Sequence, residues 1–215
     1  MASQLKASTE ADVAREKPRR TRLRPEARRA QLLETSLEVF ARRGFGRACH
    51  TEIAQAAGVA VSTVFLYFPT RKALVTAVLD EVGRFYIDLA RRVHQKGGPV
   101  AEIFAEHRRQ FHGSLESNPH RARIALDWST AAREDVWPLY LEFIDKLVEN
   151  HVATIRRGQM SGEVGAHVDP ETSALMLIGS AQMTAQLRLA GTDAEKLDRM
   201  SALMIDAALG RLAPA

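Results

Sequence analysis

Residues 51–68 read TEIAQAAGVAVSTVFLYF, and the reading of this stretch decides the fold of the chain. Ile53, Ala54 and Ala57 repeat at helical spacing, and Gly58 follows where a helix needs a residue without Cβ to turn into the left-handed region. Val59 and Val61 flank that turn, and Ser62 or Thr63 stands where the next helix needs a cap. Val64, Phe65 and Phe68 then supply the buried face of a very short second helix. Two short helices joined by a glycine turn fit a DNA major groove. The unit is too small to bury its own core, so its neighbours must support it.

Upstream, Leu33, Leu37 and Phe40 fall at i, i+4 and i+7, which predicts an amphipathic helix from about Pro25 to Arg43 with Gly44 ending it. GFGRAC reads as a loop, and Ala48 or Cys49, neither a good cap, precedes the first helix of the pair. Downstream, Pro69 stops the second helix and Thr70 caps a long third segment with apolar residues from Leu74 to Leu89. After the break at Lys96-Gly97-Gly98-Pro99, helices are expected from Val100 to Ser117, from Arg121 to Thr130 and from Trp137 onward. Residues 158–169 read as a loop, and two further apolar helices follow Pro170 and Gly191. No segment sustains period-2 alternation, so the expected class is all-α. The two terminal helices are apolar enough that either they fill the core of one subunit or they pair with a second copy. A two-fold pair of groove-reading helices would match a palindromic DNA site and favours the second reading.

The chain has 215 residues, 46% of them apolar and 26% charged, which is ordinary globular composition with room for a sizeable core. Its one cysteine, Cys49, excludes a disulfide framework within one chain and a multi-cysteine metal site, in keeping with a cytoplasmic location. No apolar signal region opens the sequence, and no run approaches a membrane span. The net charge is +4, but Lys17 to Arg29 holds seven basic residues against one acid, Glu26. That segment therefore carries +6 and the remainder −2. A basic leading end on a near-neutral body suits a polyanion, or else a solubilising tail. Residues 1–22 are read as a disordered basic arm.

RRAQLLETSLEVFARRGFGRACHTEIAQAAGVAVSTVFLYFPTRKALV, about a fifth of the chain, closely resembles the N-terminal domain of TetR-family transcriptional regulators. TVFLYFPTR and DWSTAAREDVWPLY are similar to the LuxR/HapR/SmcR group within that family, the quorum-sensing master regulators of vibrios. The resemblance implies a homodimer of about nine helices. A three-helix helix-turn-helix domain at 23–70 would bind DNA, and a helical domain at 71–215 would hold a ligand pocket among the fourth to seventh helices of the chain and dimerise through the last two.

On that resemblance the recognition helix is about Ser62 to Tyr67. Val61, Ser62, Thr63, Leu66 and Tyr67 then face the groove, with hydroxyls for phosphates or base edges and apolar groups for a thymine methyl. The vibrio group carries asparagine at the position of Leu66, an amide able to pair with adenine, and leucine cannot replace it. Leu66 could instead belong to the core. Thr51, Gln55, Arg71 and Lys72 suit the DNA backbone, and Arg19, Arg20 and Arg22 of the arm a minor groove. Phe85, Leu89, Phe104, Phe111, Leu126, Trp128, Trp137, Tyr140, Ile144 and Val148 are candidates for a cavity lining or for plain core. Ile144 and Val148 stand where the vibrio group carries amides, so an effector, if one binds, is expected to be apolar. No cofactor is implied. An enzyme is not expected: His107 and His112 are five apart, and HExxH, GxSxG, GxGxxG and GxxxxGK[ST] are absent.

Overall fold

The computed structural model describes residues 23–131 and 135–211, so the arginines of the basic arm lie outside the described residues. Within them the chain forms α1 (Pro25–Arg47), α2 (His50–Ala57), α3 (Val61–Tyr67), α4 (Arg71–His94), α5 (Val100–Ser117), α6 (Pro119–Thr130), α7 (Trp137–Ser161), α8 (Pro170–Leu189) and α9 (Ala194–Ala208). No strand occurs among these residues. No helix among them is long and apolar enough to cross a membrane.

The expected buried row of α1 is present in Leu33, Leu37 and Phe40. The helix does not stop at Gly44 but kinks there, with φ 72° and ψ 171°. Phe45 to Arg47 therefore form one more helical turn rather than the expected loop. The kink is locked from α6: Phe45 N–H donates to Asp127 Oδ2 at 3.2 Å, and a Cβ on residue 44 would sit 3.2 Å from that same oxygen. Glycine is required both for the positive φ and for the close approach.

Arg121 of α6 extends the junction. Its guanidinium reaches Glu34 of α1 at 3.1 Å and Glu81 of α4 at 3.3 Å, and lies over the Phe85 ring. The largest core cluster is accordingly continuous from Leu32 and Phe40 through Val64, Phe68, Leu74 and Leu79 to Trp128 and Phe143. The short helices α2 and α3 have no core apart from this one. Thr70 caps α4 as expected, its hydroxyl accepting from Ala73 N–H at 3.0 Å. Asp169 and Asp193 cap α8 and α9 in the same way.

The expected loop at 158–169 begins too early. Gly158 lies inside α7, where a Cβ would meet both Val100 and Val164 at 2.7 Å. Its small size seats α7 against the start of α5, so this glycine is a packing device and not a turn signal.

Candidate functional site

The α2–α3 unit turns at Gly58, in the left-handed conformation at φ 63°, with its N–H bonded back to α2. Neither Ser62 nor Thr63 caps α3. Its N-cap is Ala60, without a side-chain bond, because the helix starts one residue earlier than expected and both hydroxyl residues fall in its first turn. A seven-residue helix has room for one narrow buried row. Val64 occupies it and Phe68, the C-cap residue at i+4, continues it, at 0% and 1% exposure. Phe65 is a correction: it is 46% exposed and stacks on His50, ring centroids 4.2 Å apart, instead of entering the core. His50 is held by donating from Nε2 to Phe68 O at 2.8 Å.

Leu66 is 77% exposed, which removes the reading of it as core. Ser62, four residues before it, is exposed, as are Thr51, Gln55 and Lys72, while Val61, Thr63 and Tyr67 are half-buried. Arg71 is engaged within the chain: its guanidinium donates to Phe45 O and to Ala48 O. It pins the start of α4 to the last turn of α1 and the residue after it, and so positions the pair of short helices.

A cavity of about 100 Å³ lies between α4, α5, α6, α7 and α8. Of the expected lining, Phe111, Leu126, Tyr140 and Ile144 face it. Phe104 faces an adjoining cavity of about 70 Å³. Phe85, Leu89, Trp128, Trp137 and Val148 border neither. Trp128 is structural, donating from its indole to Val136 O at 3.0 Å and stacking on Phe143. Trp137 stacks on Tyr140 instead. Beyond the expected helices, α8 contributes one wall through Leu177, Ala181, Gln182 and Ala185. An apolar helix with no amphipathic stripe gives no sequence sign of which side faces a cavity. Gln182 donates to Ser129 Oγ at 2.8 Å across this wall, and burial pushes the Tyr86 phenol up to about 12.

His107 and His151 also line both cavities, with His94 behind them. Burial pushes all three imidazoles down, His94 to about 2, His107 to about 3 and His151 to about 4, which keeps them neutral. Three histidines at positions 94, 107 and 151 form no local motif, so only the packing of α4, α5 and α7 reveals the group.

Residues 32–78, which span the kinked end of α1, the α2–α3 unit and the start of α4, match the family model described as bacterial regulatory proteins, tetR family. The chain is also 38% identical over 152 residues to the HTH-type transcriptional regulator LuxR of Vibrio harveyi, across 66% of this chain and 71% of that protein. The chain belongs to the tetR family. It resembles the HTH-type transcriptional regulator TtgR of Pseudomonas putida as well, at 34% identity over 160 residues, across 69% of this chain and 75% of that one. The fold of this TetR-family regulator matches that of the regulator FadR from Bacillus subtilis, solved in complex with stearoyl-CoA. The TM-score is 0.74 at 18% identity, over 86% of this chain and 99% of that one. The tetR-family member described here is therefore a DNA-binding transcriptional regulator and not an enzyme.

Proposed function

We propose that the chain is a homodimeric regulator of the quorum-sensing master type, which reads a palindromic operator through α2 and α3 and pairs through α8 and α9. The observation that carries this reading is the short α3, with Val64 and Phe68 spent on the core and Ser62 and Leu66 left to solvent. A large apolar side chain beside hydroxyls on an exposed helix suits a thymine methyl between phosphates. Val61, Thr63 and Tyr67 flank that contact, Thr51, Gln55 and Lys72 bind the backbone, and Arg71 acts by holding the unit in place. Residues 1–22 serve as the basic arm, 23–70 as the DNA-binding domain, and 71–215 as the regulatory and dimerisation domain. The 38% identity to LuxR supports the regulator type.

For pairing, α8 exposes Leu175, Met176 and Met183, and α9 exposes Leu203. Gly179 lies between Met176 and Met183 on α8, and an added Cβ there would meet nothing within the subunit. Glycine inside a helix costs about 1 kcal/mol against alanine, and a crossing helix from a second copy supplies the reason for it. The cavity lining is mostly apolar, which fits a small apolar effector. At about 100 Å³ it is far below the roughly 300–1,000 Å³ of most ligand sites, so such an effector has to widen it.

Gel shifts on fragmented genomic DNA with excess competitor test the reading. Saturable binding to a few fragments is expected. Uniform binding to all fragments would make the chain a nucleoid protein, and no binding would overturn the proposal.

A further inference from the structure

His94 is the last residue of α4, and His107 and His151 come from α5 and α7. Each offers one imidazole nitrogen, and these three atoms lie within 4.8 Å of one another. The rings crowd together, with centroids 5.0 Å apart for His94 and His107, 4.7 Å for His94 and His151, and 5.1 Å for His107 and His151. His94 Nε2 and His107 Nδ1 are 2.9 Å apart.

The outer nitrogens of His151 and His94 are arranged as metal ligands need them. His151 Nδ1 lies 2.7 Å from Leu147 O. A carbonyl only accepts, so this nitrogen carries the proton and Nε2 keeps its lone pair. His94 Nδ1 lies 2.8 Å from the buried hydroxyl of Thr154, which fixes the ring with Nε2 toward the other two histidines. A hydrogen bond from the far nitrogen to a carbonyl or hydroxyl is what orients imidazole on a metal.

We propose that His94, His107 and His151 form a three-nitrogen site for a divalent transition-metal ion of the zinc class, with its fourth position open to the cavity that His107 and His151 line. Two nitrogens on a tetrahedral ion at 2.0–2.1 Å stand about 3.3 Å apart. The hydrogen-bonded pair has to widen by only a few tenths of an ångström, and the His151 nitrogen, within 4.8 Å of the other two, has to move closer. Three neutral imidazoles suit zinc, cobalt, nickel or copper and not magnesium or calcium, which take oxygen. Binding replaces the hydrogen bond between His94 and His107 by two metal–nitrogen bonds. One ring exchanges its N–H between its two nitrogens, with no net change in protons bound. The Phe104 ring, 5.1 Å from His94 and 5.6 Å from His151, screens one side from water. Arg157 acts on His94 as a repelling positive charge and opposes the ion, which favours an anionic or hydroxide fourth ligand. The site stands whether or not an apolar effector exists.

The test is titration of the full chain, free of any histidine tag, with Co²⁺ alone, read by visible absorption, followed by displacement with Zn²⁺. One Co²⁺ per chain is expected, and Zn²⁺ at about 100 times its Kd should raise the melting temperature by roughly 5–10 °C. His107→Gln combined with His151→Gln should weaken Co²⁺ binding by more than the roughly 10–100-fold that follows loss of an outer partner alone. Thr154→Val, which removes such a partner, should weaken it about 10-fold, and His112→Gln should leave it unchanged. Should the double variant fail to fold, imidazole nitrogen resonances of the unaltered protein replace it, and Zn²⁺ must shift those of these three histidines. An absence of stoichiometric Co²⁺ binding, binding indifferent to the double variant, or shifts confined to other histidines would overturn the site.

Discussion

Leu66→Glu is expected to lower operator affinity at least ~100-fold, about 2.7 kcal/mol, while leaving the melting temperature unchanged. Leu66 is 77% exposed, so the substitution removes no core contact and creates no cavity. At the groove the same change is severe. The carboxylate removes the apolar contact with a thymine methyl and brings negative charge between phosphates. Leu66→Asn makes the informative partner, since it restores the amide that the vibrio group carries at this position. It should keep affinity within about 10-fold and shift base preference toward adenine at one symmetric pair of positions. Gel-shift titration with the two variants, alongside thermal melts, checks both statements. Retention of full affinity by Leu66→Glu would remove α3 as the reading element.

Met183→Asp combined with Leu203→Asp is expected to convert the dimer to a monomer and to lower operator affinity at least ~100-fold as well. The two side chains are 50% and 57% exposed within one subunit, so carboxylates there are tolerated by the isolated fold. In the proposed α8–α9 interface the same positions would be buried, and two-fold symmetry would place four unpaired carboxylates there. A monomer engages a single half-site and loses the gain from linking two. Sedimentation equilibrium gives the mass and gel shift the affinity. A variant that stays dimeric would exclude α8 and α9 as the pairing surface. The two substitutions fail differently: Leu66→Glu leaves a dimer that does not bind, and the paired aspartates leave a folded monomer.

The features legible in the sequence are those set by local chemistry. Gly58 announced its left-handed turn, Thr70 its cap, and the spacing of Leu33, Leu37 and Phe40 the buried row of α1. The structure departs from the local pattern where a distant segment decides the outcome. Gly44 looked like a stop signal but is a kink fixed by Asp127 from α6. Gly158 looked like a loop residue because its neighbours Val100 and Val164 are not visible from its own surroundings. Phe65 carried the hydrophobicity of a core residue, but α3 has only one buried row and His50 offered a stacking partner at its edge. The bonds from the Arg71 guanidinium to the carbonyls of Phe45 and Ala48 likewise join segments that the sequence does not show as neighbours. The cavity was half legible, since aromatic residues of α5 to α7 announced it while the featureless α8 did not.

The most direct measurement is selection and sequencing of random duplex DNA bound by the full chain. A two-fold-symmetric site should emerge, its half-sites centred about one helical turn apart or a multiple of it, with thymine favoured where Leu66 meets each half-site. Recovery of a site without symmetry, or of no enriched sequence at all, would contradict a dimer that reads DNA through α3.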